Sequence, residues 1–180
     1  MRYQLFFVTA AIIFSASCGA SPTNTTEAQN PPTAGESTSV KSDLIPVGTA
    51  MSARGDRSVT VKGSELVDSI NPSNQFSSPI EAKGGKLAVV YLSLKNTGQE
   101  SGNMMFTDFK MVDSQGRTYD QLQDFEELGS LYMWMEDKGL SSPEDQLFPG
   151  GENETAIVFR VAPDAEGLQL SVNDQLMAIQ

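Results

Sequence analysis

Short apolar runs with a period of two dominate the chain from Ile45 onward. Val59 and Val61 alternate with polar neighbours, and residues 86–95 carry apolar side chains at successive positions, so that both faces of the predicted strand are apolar. Turn residues separate these runs, and helical spacing is nearly absent. The pattern predicts an all-β fold, a sandwich or barrel of antiparallel strands, in which residues 86–95 form a central strand.

Three turns are predicted between these strands. Asn96-Thr97-Gly98 offers a turn in which Gly98 can adopt a positive φ. Residues 114–116 join strands at 109–112 and 118–119 into a hairpin. Near the end of the chain, residues 163–167 separate two alternating runs, 157–161 and 168–172, and we expect these runs to form a second hairpin.

Residues 120–148 interrupt the alternation. Leu122, Phe125 and Leu128 have a spacing that suits one or two helical turns, which we expect to end at Gly129. The following Leu-Tyr-Met-Trp-Met run, residues 131–135, is interpreted as extended. A connection of this length inside a compact domain is usually a functional or capping loop.

The N-terminus predicts an export signal over residues 1–17. Arg2 precedes an apolar run at residues 5–14, and small residues follow. A run of this length is too short to span a bilayer, which needs about 20 residues. The chain is therefore expected to leave the cytoplasm.

Cys18 is the only cysteine of the chain, so no intramolecular disulfide can form. Ala16-Ser17-Cys18-Gly19 resembles the lipobox of bacterial lipoproteins. That resemblance implies lipidation of the Cys18 sulfur and a membrane anchor facing outside the cytoplasm, in the cell membrane or the outer membrane. Ser15 stands where the lipobox usually has Leu, and a freely secreted domain is the alternative.

The segment after Cys18 is dominated by small and polar residues, which cannot bury enough apolar surface to offset the entropy cost of ordering. We expect residues 18–44 to form a flexible linker and residues 45–180 to form one folded domain. The lipid anchor and this linker would hold the domain clear of the membrane.

Charge and composition exclude several classes of function. The formal net charge of −11 disfavours binding to nucleic acid and to anionic lipids, and it favours cationic partners. The chain contains no histidine, which excludes Ser-His and Cys-His catalysis. Cys18 is used at the anchor, so Cys/His zinc sites are excluded too. We therefore assign no catalytic residue, no metal ligand and no cofactor.

Residues 120–148 contain what candidate chemistry remains. Carboxylate pairs such as Glu126 and Glu127, or Glu136 and Asp137, would suit a glycosidase, although ordinary surface charge explains them as well. The same acidic segment offers oxygen ligands for Ca²⁺ without a recognised calcium-loop spacing. Its acidic residues are Asp120, Asp124, Glu126, Glu127, Glu136, Asp137, Glu144 and Asp145.

The Met133-Trp134-Met135 group allows three interpretations. It could close one end of the core, form a contact surface for a partner, or supply thioether ligands for Cu(I). Trp, Tyr and Met are enriched at the centres of protein interfaces. If the group is exposed, Leu131, Tyr132 and Trp134 are the predicted anchors of a partner-binding surface.

The order of several motifs resembles the domain of unknown function family 4352, an immunoglobulin-like family found in bacterial lipoproteins and similar to immunoprotective extracellular proteins. The motifs are a buried strand ending in Asn96-Thr97-Gly98, an Asp-Phe-x-x-x-Asp-x-x-Gly-x-x-Tyr element at residues 108–119, and the Pro149-Gly150-Gly151-Glu152 turn. The resemblance covers residues 47–172. It implies a β-sandwich of about seven or eight strands, and it brings no catalytic or ligand residues.

Together these features predict a non-enzymatic, membrane-anchored extracytoplasmic lipoprotein. We expect loops at one end of the sandwich to bind a protein or an envelope component. The alternatives are an enzyme that acts on envelope polysaccharide through a carboxylate pair, and a lipoprotein that binds calcium or copper.

Overall fold

The computed structural model describes residues 44–74, 76–104 and 107–180. The predicted signal peptide, Cys18 and nearly all of the predicted linker lie outside the described residues and stay predictions. The elements are β1 (Ala50–Ala53), β2 (Arg57–Val67), β3 (Ser69–Ile70), β4 (Ile80–Glu81), β5 (Lys86–Asn96), β6 (Phe109–Val112), β7 (Thr118–Asp120), α1 (Phe125–Asp137), β8 (Glu152–Val161), β9 (Gln169–Val172) and β10 (Gln175–Ala178).

Eight of these strands form two four-stranded antiparallel sheets. The strand order is β1-β2-β5-β8 in the first sheet and β10-β9-β6-β7 in the second. The strands β3 and β4 form a separate short pair. The two main sheets confirm the predicted all-β sandwich, and β5 has the central position predicted for it.

The main core lies between the two sheets. Alternate residues of β2, β5 and β8 pack against residues of β6, β9 and β10, and Phe159 and Met111 are fully buried there. Burying a large aliphatic or aromatic side chain stabilises a fold by about 1.5–3 kcal/mol. The apolar positions of the period-two pattern are therefore the residues that each strand contributes to this core.

A second cluster covers the outer face of the first sheet. Leu87 and Val89 of β5 and Val158 of β8 pack there against Leu131 and Trp134 of α1. The first sheet is thus buried on both faces, by the second sheet on one side and by the helix on the other. This third layer explains why residues 86–95 are apolar at successive positions.

The prediction for residues 120–148 was wrong about the length of the helix and about the 131–135 run. It runs from Phe125 to Asp137, so it does not end at Gly129, and the 131–135 run is helical and not extended. A glycine inside a helix costs about 1 kcal/mol relative to alanine. The burial of Leu131, Trp134 and Met135 against the sheet outweighs that cost.

Both ends of α1 have standard capping signals that the hydrophobic spacing did not reveal. Asp124 accepts a hydrogen bond from the backbone N–H of Glu126 over 3.0 Å. At the other end, Gly139 adopts φ +70°, and Leu140 N–H donates to the carbonyl of Met135 over 2.8 Å. That arrangement is the Schellman motif. No helix in the described part of the chain is long and apolar enough to cross a membrane.

The last predicted hairpin is also corrected. The strands β8 and β9 belong to different sheets, so residues 163–167 connect the two layers of the sandwich. The true hairpin joins β9 to β10 through Asn173 and Asp174, both of which have positive φ. Two such residues are typical of the two-residue hairpin turn. The predicted hairpin between β6 and β7 is confirmed.

Gly98 has a role different from the one predicted. It is not among the described glycines with positive φ. A Cβ atom added to it would lie 2.8 Å from the Cβ of Asp56. The glycine is therefore needed for the close approach of two loops and not for its backbone conformation.

Candidate functional site

Arg57 lies in the interior of the sandwich end formed by the β1–β2 turn and the end of β5. It is the first residue of β2 and pairs in register with Asn96, the last residue of β5. Period-two alternation places it on the same face as Val59 and Val61. Its exposed fraction is 8%, and it is the one basic residue of the described chain that is more than nine-tenths buried.

The hydrogen bonds of Arg57 are concentrated on one nitrogen. Nη1 donates to the carbonyl of Gly55 over 2.6 Å and to Asn96 Oδ1 over 2.7 Å. Within the described residues, Nη2 makes one long contact of 3.4 Å, to the carbonyl of Glu100. Nε is buried and has no acceptor among the described residues. The Nε and Nη2 edge of the guanidinium is therefore incompletely bonded.

Asn96 holds the loops around this guanidinium. Its Nδ2 donates to the carbonyls of Glu100 and Leu147 over 2.8 and 3.0 Å, and its Oδ1 also accepts from Gly98 N–H over 2.9 Å. Asn96 is fully buried. A single amide side chain thus fixes the 96–102 loop against residue 147.

Gly102 packs directly on the guanidinium. A Cβ atom at this position would lie 2.4 Å from Arg57 Nη2. The backbone of Gly102 is held by a bridge to Leu147, with hydrogen bonds of 3.1 and 2.7 Å. The absence of a side chain at residue 102 therefore provides the space that Nη2 occupies.

Arg57 differs from Arg117 and Arg160 in its charge partners. Arg117 forms ion pairs with Asp113 and Asp164, at 2.6 and 3.0 Å, and Arg160 pairs with Glu127 at 3.0 Å. The ion pairs of the described residues include none for Arg57. Its guanidinium charge is therefore balanced only by the dipoles of neutral oxygens.

A cavity of about 440 Å³ opens beside Arg57 at this end of the sandwich. A volume of this size is within the usual range for small-ligand sites, about 300–1,000 Å³. Among the described residues, Arg54, Gly55, Arg57, Asn103 and Thr107 line it. We call this space the end cavity.

Other depressions in the described surface lack this combination of features. One of about 450 Å³ is bordered by Leu44, Leu66 and apolar residues near the C-terminus. Another, of about 480 Å³, lies beside Phe76 and is bordered by Glu126 and Glu127. No basic side chain lines either of them.

The predicted partner-binding residues lie elsewhere, on α1. Leu131 and Trp134 are 4% and 7% exposed and belong to the second core cluster, so the exposure on which that prediction depended is not found. Tyr132 is half-buried, and its hydroxyl donates to Glu144 over 3.0 Å. Burial and this hydrogen bond raise the pKa of Tyr132. The packing interpretation fits Leu131 and Trp134.

Five of the acidic residues of the 120–148 segment make local contacts: Asp124, Glu127, Asp137, Glu144 and Asp145. Glu127 pairs with Lys83 at 2.7 Å as well as with Arg160. Asp137 accepts hydrogen bonds from the backbone and hydroxyl of Ser73 over 2.8 and 2.7 Å, which lower its pKa. Within the described residues, no group of three or more acidic side chains is arranged to hold a metal ion.

A separate polar cluster fixes the β6–β7 hairpin. Asp113 is buried and accepts from Arg117 Nε over 2.6 Å, from the Tyr119 hydroxyl over 2.8 Å, and from the backbone of Gln115 over 2.9 Å. Burial alone would raise the pKa of Asp113, but these donors outweigh it and lower the pKa to about 2. Asp113 and Tyr119 belong to the motif at residues 108–119, which therefore has a structural role.

Sequence reasoning did not identify Arg57, although a signal was present. Arg57 occupies the inward position of the Arg57, Val59, Val61 alternation, where a charged residue is unusual. The second feature of the site, the hydrogen bond from Arg57 to Asn96, joins residues 39 positions apart in the sequence. That pairing is visible only in the folded chain.

Comparison with solved structures finds similar folds in several bacterial proteins. A conserved hypothetical protein from Bacillus anthracis superposes with a TM-score of 0.54 at 19% identity, covering 76% of this chain and 95% of that chain. The yjhA protein from Bacillus subtilis has a TM-score of 0.50 at 14% identity, covering 73% and 83%. An uncharacterised β-sandwich protein from Clostridium difficile has a TM-score of 0.50 at 10% identity, covering 81% and 100%. At these identities the likeness concerns the fold alone.

Among curated proteins, none matches the sequence. A family model does match, and it covers residues 47–180, which include every strand and the helix of the described chain. Its description is a domain of unknown function, DUF4352. The chain therefore belongs to the DUF4352 family.

Proposed function

We propose that this protein is a membrane-anchored, extracytoplasmic binding domain that holds a partner molecule in the end cavity. The observation that carries the proposal is a buried, incompletely bonded arginine beside an open cavity. Buried polar groups in folded proteins almost always have hydrogen-bond partners, and each exception requires an explanation. A bound partner molecule supplies one for Arg57, which lines the cavity, whereas the other two buried atoms without a partner in the described structure, Arg117 Nη2 and Thr155 Oγ1, lie outside it.

The position of the cavity supports binding through loops. It lies where the β1–β2 turn and the loop after β5 meet, and in sandwich folds such loops frequently carry function on a rigid scaffold. The export signal, the lipobox-like Cys18 and the polar linker support a location outside the cytoplasm. A tethered domain would present the end cavity to molecules of the envelope.

Binding is proposed here in preference to catalysis. The described residues that line the cavity provide two arginines, an amide and a hydroxyl, and none of these described residues is a carboxylate or a thiol. General acid and base catalysis needs a side chain that exchanges protons near neutral pH. The cavity lining is therefore suited to holding a molecule and not to transforming it.

Site-specific photo-cross-linking in the producing cells tests the proposal. A photoreactive amino acid at Thr107, in the cavity, is expected to give a discrete cross-linked species. The same probe at Gln115, an exposed residue in the β6–β7 turn at the other end of β6, is the matched control and is expected to give none. Equal cross-linking from both positions, or none from Thr107 in the folded, membrane-borne protein, would overturn the proposal.

A further inference from the structure

We infer that the end cavity binds an oxyanion, the carboxylate or phosphate group of a small ligand, through the Nε and Nη2 edge of Arg57. The inference rests on the proposed function, because it names the chemical group that the cavity would take. Two observations lead to it: the pattern of used and unused donors on one guanidinium, and the lack of a carboxylate partner.

The incompletely bonded Nε and Nη2 edge of Arg57 has the geometry of an oxyanion site. Nε and Nη2 project their N–H bonds in parallel, and this edge of arginine takes a carboxylate or phosphate through two hydrogen bonds. In Arg57 the opposite nitrogen, Nη1, is already bonded to Gly55 and Asn96, which fixes the plane of the group. The donors left over are therefore preorganised.

Charge favours the same ligand. A buried guanidinium without a counterion pays a desolvation cost that neutral acceptors offset only in part. Arg54, an exposed residue of the same cavity, adds a second positive charge. Asp56, in the turn between them, is exposed, packs beside Gly98 and forms no ion pair with Arg57 in the described structure. The cavity is thus a basic site in a chain of net charge −11.

Ligand access requires a movement of one loop. Nε is covered in the structure, and Nη2 lies under the backbone of Gly102. The contact from Nη2 to the carbonyl of Glu100 is 3.4 Å, a length at which a hydrogen bond is weak. An incoming oxyanion would replace that contact, and the loop carrying Glu100 and Gly102 would shift outward, which also requires the 2.8 Å hydrogen bond from Asn96 Nδ2 to the Glu100 carbonyl to open.

Titration of the arginine Nε–H resonances by ¹⁵N NMR tests the inference. The full-length protein is held in an uncharged detergent and titrated with sodium acetate, with sodium phosphate, and with sodium chloride at matched ionic strength. The Nε signal of Arg57 is expected to move saturably with acetate or phosphate and to stay in place with chloride. The acetate and phosphate arms show which oxyanion fits better.

Variants separate the local site from general charge. Arg57→Lys keeps the charge and removes the forked edge, and it is expected to weaken binding at least tenfold, read in this variant from the Nε–H resonance of Arg54, which lines the same cavity. Arg54→Gln is expected to weaken binding about threefold to tenfold, in line with the loss of one charge-assisted contact. Lys62→Gln, at an exposed position of β2 outside the cavity, changes the net charge equally and should leave binding unchanged.

Three outcomes would overturn the inference: shifts of Arg57 Nε no larger with oxyanions than with chloride, non-saturating shifts, or an equal effect of Arg54→Gln and Lys62→Gln. The wild-type titration and Arg54→Gln keep the test decisive if Arg57→Lys does not fold. Cross-links from Thr107 without oxyanion binding would remove this inference and leave the proposed function standing. Oxyanion binding without cross-links from Thr107 would overturn the binding of a partner molecule in cells and leave the oxyanion site at Arg57 standing.

Discussion

Arg57 and Asn96 stand opposite each other in the register of β2 and β5, and Arg57 Nη1 donates to the Asn96 side-chain oxygen over 2.7 Å. The bond joins the first residue of one central strand to the last residue of the next. Both residues are buried, so the loops at this end of the sandwich are held from inside. The same bond fixes the plane of the Arg57 guanidinium.

Asn96→Ala is expected to lower the free energy of unfolding by about 2–4 kcal/mol. It removes the oxygen that accepts hydrogen bonds from Arg57 Nη1 and from Gly98 N–H, and each buried group left unsatisfied costs about 1–3 kcal/mol. Equilibrium unfolding in urea measures the change. Asn71→Ala, at an exposed residue bonded only to Ser69 in the described structure, should unfold like the wild type. A similar midpoint for both variants would contradict the role given to Asn96.

Trp134→Ala is expected to destabilise the fold by about 3–5 kcal/mol, the usual cost of removing a large buried aromatic side chain. Trp134 is 7% exposed, packs in the second core cluster and has the Lys138 ammonium 5.2 Å from its ring centre. Thermal unfolding monitored by circular dichroism measures the loss. Phe125→Ala, at a helix residue that is 89% exposed, is the control and should change stability by less than about 0.5 kcal/mol. An unchanged Trp134→Ala melting temperature would restore Trp134 as a candidate surface residue.

Asp113→Asn is expected to lower stability at neutral pH and to weaken the acid dependence of unfolding. The folded-state pKa of Asp113 is about 2, below the value of about 3.9 for a free aspartate. Its contribution is therefore complete above about pH 4 and is lost as the pH falls through 2. Urea unfolding at several values between pH 2 and 7 should show a smaller acid loss in the variant than in the wild type.

The control for this measurement is Asp108→Asn, at an exposed carboxylate just before β6. It should follow the wild-type curve. Glu127, Asp137, Glu152 and Asp164 also have lowered pKa values, so some acid dependence should remain in both variants. Identical curves for the wild type and Asp113→Asn would contradict the assignment of Asp113 as the anchor of the hairpin.

Cys18→Ser is expected to release the protein from the membrane fraction while leaving the folded domain unchanged. The hydroxyl of serine cannot take the place of the sulfur in lipid transfer, and the sandwich begins well after residue 18. Mass spectrometry of the mature wild-type N-terminus should show a diacylated Cys18, because stable anchoring takes at least two acyl chains. An unmodified Cys18 would make the domain a freely secreted one.

The local sequence determined six of the strands, β2 and β5 to β9, and which of them is buried on both faces, but it did not indicate β1, β3, β4 or β10. Val59 and Val61 indicate the inner face of β2, and residues 86–95 indicate the central strand, because side-chain alternation is a property of each strand alone. The turn before β7 and the motif at residues 108–119 could also be recognised, because each is a short contiguous stretch of sequence. The family could also be identified from the sequence, since its motifs are short and contiguous.

Only the tertiary structure decided how those strands pair. Alternation cannot show that β8 and β9 lie in different sheets, because a strand has the same pattern whichever partner it has. Local spacing also could not show that α1 continues past Gly129. The helix continues because the burial of Trp134 against the sheet stabilises it by more than the glycine destabilises it. The end cavity is the clearest case: it depends on Arg57 meeting Asn96 across 39 residues of sequence, and the free energy that holds a charged residue inside comes from contacts that exist only after folding.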